Sequence, residues 1–548
     1  MRALAAFIWA ITASVPNVTA NESDINVWPP PRNIEVKGPP LLLGEKFHFV
    51  LEDHSEVPRS LQYAMQRTLV HLSGTPRVFG DSCIASNGPL EVLESLSLKL
   101  TSSLHEASMA PSVSTLYNYS IHIDGSNSAT AIAPSIYGLM YAMETFSQLV
   151  GREAEGKHTI GMVHSIVSIV DSPSYAWRGL MLDSGRRFIP VPVVYNLLDT
   201  MAANKLNVLH LHASDYCRFA VESKKFPNLT AALTGVYAGF YTQDDVKDMI
   251  SYAGDRGIRV VPEFDVPGHS RGFRPLKSAG VHFCEDDEAQ SQLFDDPEGE
   301  TYAVVHDVME EMAELFTDEI FNIGCDEAYV KGRCSLNSTF DFERRLLNAI
   351  SNEFGKTPAG WEEVLFSADA ATNDTIVDAW SEVQASNITA KGHMAIESHS
   401  YAFYFTEAVP GGPEGWEDCW YDISTGVPQS QRSLLLGGEM SMWTDTYCIE
   451  EQCGAFPGGP PPVGAALFDP AHDDAFAKSI GGMIWPRGYV AAGAFWNFDA
   501  SKDPAAPDFV KGIWALNDLL SKRGALTCPT DCSCDQLHAC GKPYLPPN

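Results

Sequence analysis

The chain has 548 residues, of which 45% are hydrophobic and 10% aromatic, a composition typical of a globular protein with a large core. It carries 70 acidic residues against 37 Lys and Arg, which gives a formal net charge of -33. Nucleic acids and anionic membrane surfaces would repel this charge, so we exclude them as expected partners.

The first twenty residues predict a secretory signal peptide. Arg2 precedes an apolar run over residues 3–15, and a small-x-small pattern ends at Ala20. No later stretch approaches the roughly 18 uncharged apolar residues of a membrane helix, so we expect no membrane span. Sequons for N-glycosylation begin at Asn21, Asn118, Asn228, Asn337, Asn373 and Asn387, and we expect glycans on the last five. Together these features predict the secretory pathway, with the extracellular space, lysosome or vacuole as destination.

The twelve cysteines fit an oxidising compartment. Four of them crowd the tail over residues 525–548, namely Cys528, Cys532, Cys534 and Cys540. Disulfides are the favoured interpretation of this cluster, and a zinc site is the alternative. Spacing alone does not give the pairing.

Residues 21–172 alternate strand-like and helical runs. The clearest strand-like runs cover 47–51 and 119–123, and the clearest helical runs cover 60–72 and 132–150. This pattern predicts a small N-terminal α+β domain, and we find no catalytic constellation in it.

From residue 173 to 524 the sequence has eight candidate strands separated by helices or long loops. The strands are expected at 178–183, 208–212, 258–264, from 320, and at 358–361, 376–380, 394–398 and 434–439. This alternation predicts an α/β fold of the (β/α)8 TIM-barrel type. In such a barrel the residues that follow the strands meet at one face and form the active site.

Asp326 and Glu327 follow the fourth strand, where adjacent acids indicate an active site, with helix capping as the alternative. The other strand ends carry further acids, a Tyr and three Trp, an inventory typical of a sugar site. A metal site is the alternative interpretation. It could use His210 and His212 with Asp215, or Asp265 with His269.

Several ordered motifs make the resemblance specific. They are Trp177-Arg178-Gly179-Leu180-Met181-Leu182-Asp183 with Arg186, Lys205-Leu206-Asn207-Val208-Leu209-His210-Leu211-His212, the run 261–269, Gly324-x-Asp326-Glu327, Trp361-x-Glu363-Val364, Phe403-Tyr404-Phe405, and Gly437-Gly438-Glu439 with Trp443. The chain resembles the β-N-acetylhexosaminidases of glycoside hydrolase family 20 over nearly all of residues 21–524. The resemblance implies release of terminal β-linked N-acetylglucosamine or N-acetylgalactosamine. It also implies a retaining mechanism in which the sugar's own acetamide is the nucleophile and forms an oxazolinium ion.

Carried over by position, Glu327 resembles the family's general acid, with a pKa that we expect to be raised. Asp326 would orient the acetamide N–H, and Tyr404, rather than the nearby Tyr401, would donate to the acetamide oxygen. The resemblance implies sugar-binding or supporting roles for a further set: Arg178 at the 3- and 4-hydroxyls, Asp445 at the 4- or 6-hydroxyl, Trp361, Trp380 and Trp443 around the acetamide, and Asp215 and His269 beside Glu327. It implies a disulfide between Cys284 and Cys334 and no cofactor, and dimerisation is common among such relatives, which makes a homodimer possible here. Because the strand ends carry no tight His cluster, we expect no metal.

Three positions and one turn depart from the family pattern. Asn322 stands where His is usual, Cys325 where Gly is usual, and Thr406 where an acid or amide is common, while the turn 214–218 is less acidic than in relatives. A catalytically impaired sugar-binding protein is therefore the alternative to an active enzyme. A third hypothesis is an unrelated barrel hydrolase that uses Glu263 or Glu439.

Overall fold

The computed structural model describes residues 27–74, 76–78, 90–152, 159–231, 233, 239–285, 291–328, 339–405, 416–445, 477–478 and 480–527. Two bodies of secondary structure follow one another along the chain. The first is an open sheet with helices on one side, and the second is a closed barrel. The predicted fold class, a (β/α)8 barrel preceded by an α+β domain, is confirmed.

The N-terminal sheet contains nine strands in the order β1-β9-β5-β6-β4-β2-β8-β7-β3. The strands are β1 (Asn33–Lys37), β2 (Leu41–Leu51), β3 (Arg77–Val78), β4 (Val92–Leu100), β5 (Tyr119–Asp124), β6 (Ser128–Ala133), β7 (Gly151–Arg152), β8 (Ile160–Met162) and β9 (Ile166–Asp171). The helices are α1 (Arg59–Gly74), α2 (Leu104–Ala107) and α3 (Ile136–Leu149). Helix α3 is buried along nearly its whole length, because it is packed between this sheet and the barrel.

Eight parallel strands close the barrel in chain order. They are β10 (Trp177–Asp183), β11 (Val208–His212), β12 (Arg259–Glu263), β13 (Ile320–Asn322), β14 (Thr357–Trp361), β15 (Ile376–Ala379), β16 (Ala395–Glu397) and β17 (Leu435–Met442). Each of the eight predicted strands is present within a few residues of its expected bounds. The strands are buried throughout and rich in Val, Ile and Leu, as expected for parallel strands covered on both sides.

Helices surround the barrel. They are α4 (Val191–Ala203), α5 (Asn228–Ala231), α6 (Gln243–Gly254), α7 (Glu300–Leu315), α8 (Phe340–Asn352), α9 (Glu363–Phe366), α10 (Ala385–Ala390), α11 (Ser400–Phe403), α12 (Arg487–Asn497) and α13 (Pro507–Lys522), with 3-10 segments at Ser270–Ala279 and Gln429–Leu434. Thr242 caps α6 in a capping box with Asp245, which fixes where that helix begins. None of the described helices has the length and apolar character that a bilayer crossing requires.

The barrel interior is layered. Trp177, Val208, Val261 and their neighbours form an apolar floor at the amino ends of the strands. Met181, Trp361 and Trp443 form a smaller apolar cluster towards the carboxyl ends. This arrangement closes one end of the barrel and leaves functional side chains at the other, as in other barrels of this kind.

A buried ion pair joins the two bodies. Lys205 Nζ lies 3.1 Å from Asp171 Oδ2, and neither side chain has exposed surface. The same ammonium donates to the Tyr119 hydroxyl at 2.9 Å and lies 4.6 Å from the ring centroid of Trp496. Trp496 Nε1 donates to the second oxygen of Asp171 at 2.9 Å, so the carboxylate is bonded on both oxygens.

Candidate active site

Polar side chains share one level of the barrel because the strands are in register. Asp183 is paired with His212, His212 with Glu263, and Glu263 with Asn322, on four successive strands. In a parallel sheet, paired residues point to the same face. All four are buried, so polar groups here must bind one another or a ligand.

The acid pair lies on a loop of unusual backbone. Gly324 has φ +69°, Cys325 φ +70° and Glu327 φ +46°, all in the left-handed region. Only glycine fits at position 324, since an added Cβ would lie 2.0 Å from Asp265 Oδ1. The same oxygen accepts from the Cys325 amide at 3.2 Å, which anchors the loop.

The side chains of the two acids lie in different environments. The Asp326 side chain is 12% exposed and the Glu327 side chain 41% exposed. Asp326 Oδ1 is buried and has no hydrogen bond of ordinary geometry among the described residues, although the Asp265 carboxyl lies beside Asp326 and interacts with it. Asp326 therefore offers an open acceptor inside the pocket, while Glu327 faces the mouth. Residues 326–328 are not helical, and residues 329–338 lie outside the described residues, so helix capping, the alternative interpretation of this pair, is not tested.

His269 connects the two acids with a third carboxylate. Its Nε2 lies 3.1 Å from Glu327 Oε2 and 3.7 Å from Asp326 Oδ2, and its Nδ1 lies 3.2 Å from Asp215 Oδ1. Burial alone would lower the pKa of His269, but Asp215 and Asp326 outweigh burial and raise that pKa well above its ordinary value. The structure thus places Asp215 and His269 beside Glu327.

The expected rise of the Glu327 pKa is wrong. The hydrogen bond from His269 holds the pKa of Glu327 below its ordinary value, although partial burial opposes this. Burial raises the pKa of Asp326 and, with Asp326 beside it, raises the pKa of Glu363 to about 8. The site therefore contains one readily ionised acid at its mouth and less readily ionised acids behind it.

Four aromatic side chains line the pocket. Tyr404 stacks on Trp380 with centroids 5.9 Å apart and lies 5.7 Å from Trp443, which in turn lies 6.0 Å from Trp361. Trp380 Nε1 donates to Glu363 at 3.0 Å, which fixes the indole. Tyr401 is 51% exposed and lies outside this box. The structure therefore brings together the three predicted Trp residues and Tyr404.

Arg178 does not reach this pocket, so its predicted contact with sugar hydroxyls is wrong. It lies near the start of β10 with no exposed surface, and its guanidinium donates to the carbonyls of Lys205 and Tyr175. It also lies 5.0 Å from the ring of Tyr117 and 5.2 Å from that of Trp496. Arg178 points outward from the barrel and supports the contact with the N-terminal body.

Arg186 occupies the mouth instead. Its guanidinium lies 3.1 Å from Asp183, 2.9 Å from Asp215 and 3.2 Å from Asp445. Asp445 is the most accessible of these acids, with a side chain 30% exposed. Arg186 was expected only as a strand-end residue after Asp183. The geometry shows that Arg186 and Asp445 form the pair that can bind hydroxyls.

The other predicted residues are placed as follows. Cys284 is disulfide-bonded, but Cys334 lies outside the described residues, so their pairing stays a prediction. Asn118, Asn228, Asn373 and Asn387 are exposed, while Asn21, Asn337, Thr406 and the tail cysteines lie outside the described residues. Glu263 and Glu439 have no exposed surface, so neither is accessible for the third hypothesis, a hydrolase that uses them.

The histidine and acid groups considered for a metal do come together. Asp183 with His212 and Asp215, and Asp215 with Asp265 and His269, have ligand atoms within 4.8 Å of one another. Both nitrogens of His212, however, already face carboxylates at 2.6 and 2.8 Å. The contacts are those of an ion-pair network, in which each imidazole lies between two acids.

Comparison with known proteins assigns the family. The model described as "Glycosyl hydrolase family 20, catalytic domain" matches residues 175–453, and the one described as "beta-acetyl hexosaminidase like" matches residues 27–149. The chain belongs to glycosyl hydrolase family 20. Among family members, Beta-hexosaminidase subunit beta of Mus musculus is 30% identical over 76% of this chain and 81% of its own length.

Two further matches describe the extent of the likeness. Beta-hexosaminidase subunit A2 of Dictyostelium discoideum is 32% identical over 57% of this chain, and the matched segment spans 61% of that protein's length. The Flavobacterium johnsoniae chitobiase has a TM-score of 0.71 at 22% identity, and the match covers 93% of this chain and 75% of that chain. The structural likeness supports the two-body fold.

Proposed function

We propose that this protein is an exo-β-N-acetylhexosaminidase that releases terminal β-linked N-acetylhexosamine with retention, by substrate assistance. The observation that carries the proposal is the difference in environment between the two acids of the pair. Asp326 presents an unoccupied oxygen within the aromatic box, and Glu327 faces the mouth. Two neighbouring acids in such different environments can have two different catalytic roles on one substrate.

The geometry supports the following sequence. The sugar's acetamide enters the box of Trp361, Trp380, Trp443 and Tyr404. There the Asp326 carboxylate accepts a hydrogen bond from the amide N–H. The acetamide oxygen attacks the anomeric carbon while Glu327 protonates the departing oxygen, so one C–O bond forms as another breaks. Glu327, now a carboxylate, takes a proton from water, which opens the oxazolinium ion. Fixed donors and acceptors around the developing charge stabilise the transition state.

Hydroxyl recognition would fall to Arg186 with Asp445. A guanidinium and a carboxylate side by side can donate to and accept from vicinal hydroxyls. Thr406 lies outside the described residues, so the preference between N-acetylglucosamine and N-acetylgalactosamine is a matter for measurement.

The test is hydrolysis of aryl N-acetyl-β-glucosaminide and N-acetyl-β-galactosaminide at acidic pH by wild type, Asp326→Asn and Glu327→Gln. Loss of one preorganised group of this kind costs about 3–4 kcal/mol, or roughly 100- to 1000-fold in kcat. Glu353→Gln, a change to an acid that is 61% exposed beyond the end of α8, is the matched control and should keep wild-type turnover. A folded wild type that binds the sugar without turnover would instead support the impaired sugar-binding protein.

We also propose passage through the secretory pathway, glycosylation and a homodimer. The exposure of four sequon asparagines supports glycosylation, and the predicted leader and cysteine content support the route. Enzymatic deglycosylation of the secreted chain should lower its apparent mass, and light scattering would measure the assembly state. Variants Asn118→Gln and Asn373→Gln should each remove one glycan.

A further inference from the structure

A line of alternating imidazoles and carboxylates runs through the barrel to Glu327. It begins at Glu439, whose Oε1 lies 2.8 Å from His210 Nδ1. His210 Nε2 lies 3.1 Å from Glu263 Oε2, and the same oxygen lies 2.6 Å from His212 Nδ1. His212 Nε2 continues to Asp215 Oδ2 at 2.8 Å.

The last links are those already described at the mouth. Asp215 Oδ1 faces His269 Nδ1, and His269 Nε2 faces Glu327 Oε2. Every member except Glu327 is at least nine-tenths buried.

The first imidazole is enclosed by acids. His210 faces Glu439 on β17 and Glu263 on β12, and the nearby Asp378 on β15 also interacts with it. Its ring is roughly parallel to that of Trp361, with centroids 6.2 Å apart. Burial opposes its positive charge, but the carboxylates outweigh burial and raise the pKa of His210 well above its ordinary value.

The second imidazole has a similar setting. His212 faces Glu263 and Asp215, with Asp183 on β10 contributing from the side, and Trp443 meets its ring edge-on at 5.0 Å. These acids raise the pKa of His212 to about 10 in spite of burial. At neutral and acidic pH both imidazoles are therefore positively charged, and each lies between acidic side chains.

The line also contacts one wall of the pocket and the floor of the barrel. Trp361 Nε1 donates to Glu263 Oε1 at 2.7 Å, and Trp177 Nε1 donates to Glu439 Oε2 at 2.9 Å. Glu263 thereby bonds to an aromatic wall and an imidazole of the same network. A substitution in this line would therefore affect both the position of Glu327 and the position of Trp361 in the aromatic box.

We propose that His210 and His212 are positioning residues, which act through Asp215 and His269 to hold Glu327 in place and to set the pH range in which it works. This inference rests on the proposed function for its main readout. Each imidazole carries a positive charge that compensates the acids next to it. Loss of that charge leaves the mouth more negative, and a more negative surrounding makes Glu327 and His269 hold their protons to higher pH.

The proposal predicts the direction of the shift in the pH profile and which of the two variants shifts more. The alkaline limb of the kcat/KM profile reports the protonation of the essential acid in the free enzyme. In His212→Gln this limb should move to higher pH by about one unit, and in His210→Gln, two links further away, by less, because the Coulomb interaction falls with distance. Turnover at the optimum should fall in both variants, since the orientation of His269 is relaxed.

The experiment compares full pH profiles of wild type, both variants and Val261→Ala. Val261 is a buried apolar residue of the barrel floor and tests packing alone. Each protein is checked for folding by urea denaturation, and His210→Gln serves alone if His212→Gln does not fold. A wild-type sample treated with EDTA separates this network from a metal site, since chelation should not alter the profile.

Upward shifts in the order His212→Gln, then His210→Gln, with Val261→Ala unshifted, support the proposal. Reduced turnover without a shift of the alkaline limb would show that both imidazoles have only a structural role, and this result would overturn the proposal. If wild type shows no turnover, the proposed function fails separately. The pH dependence of N-acetylglucosamine binding by calorimetry then replaces the kinetic limb, with the same expected order and the same overturning result.

Discussion

Two arginines of one segment, Arg178 and Arg186, should respond in opposite ways to the same substitution by Lys. Arg186 contacts three acids in three directions, at 2.9 to 3.2 Å. A Lys ammonium is a single point of charge and cannot reproduce this fork. Arg186→Lys should lose one charge-assisted hydrogen bond at the site, worth about 1.5–3 kcal/mol, which corresponds to roughly a 10- to 100-fold fall in kcat/KM.

Arg178→Lys is the matched control. Arg178 lies under the barrel and donates to two backbone carbonyls at 2.8 and 2.7 Å, so Lys would leave at least one of them without its donor. The free energy of unfolding should fall by about 2–3 kcal/mol, while KM for the aryl glucosaminide stays at the wild-type value.

The assay is steady-state kinetics together with urea denaturation of wild type and the two variants. Arg186→Lys should fold with a midpoint near that of wild type but should raise KM or lower kcat/KM. A folded Arg178→Lys with a raised KM, together with an Arg186→Lys that keeps full kcat/KM, would refute the assignment of Arg186 to the hydroxyls.

Three further outcomes are expected. Burial raises the pKa of Glu343 to about 7. Because this pKa is higher in the folded than in the unfolded protein, the free energy of unfolding should decrease as pH rises from about 4.5 to 7. The urea midpoint should therefore fall over that range, and it should fall less in Glu343→Gln. Glu363→Gln, which keeps an acceptor for Trp380, should retain most of its activity at pH 5, whereas Glu363→Ala should raise KM; equal effects of both would contradict an orienting role. Cys325 is a buried free thiol whose pKa burial raises, so iodoacetamide should label it only after unfolding; rapid labelling of the native protein would show an exposed loop.

Much of the fold follows from the sequence because hydrophobic periodicity and strand-end chemistry are local signals. The runs ending at His212 and Trp361 predicted their strands closely, and the gathering of Asp326, Tyr404 and Trp443 followed from barrel topology. These predictions needed only which residues lie at strand ends.

Two predictions went wrong because they depend on orientation and on neighbours. Arg178 and Arg186 lie on one motif, and only the three-dimensional fold shows that Arg178 points outward from the barrel. The pKa of Glu327 depends on His269, 58 residues earlier, whose distance to the acid no sequence pattern gives. The His210-x-His212 spacing and Asp215 were visible as a candidate ligand set, but the further acidic partners Glu263 and Glu439 come from β12 and β17.

The buried pair between Lys205 and Asp171 has a consequence for dissecting the protein. The family's catalytic-domain match begins at residue 175, so a fragment cut at that boundary would lack both Asp171 and Tyr119. Such a cut would remove the counter-charge of Lys205 and would also uncover the barrel surface that packs against helix α3. We therefore expect that the barrel, although a complete topological unit, does not fold autonomously. Expression of the catalytic part alone should require the N-terminal sheet, supplied in the same chain or added as a separate fragment.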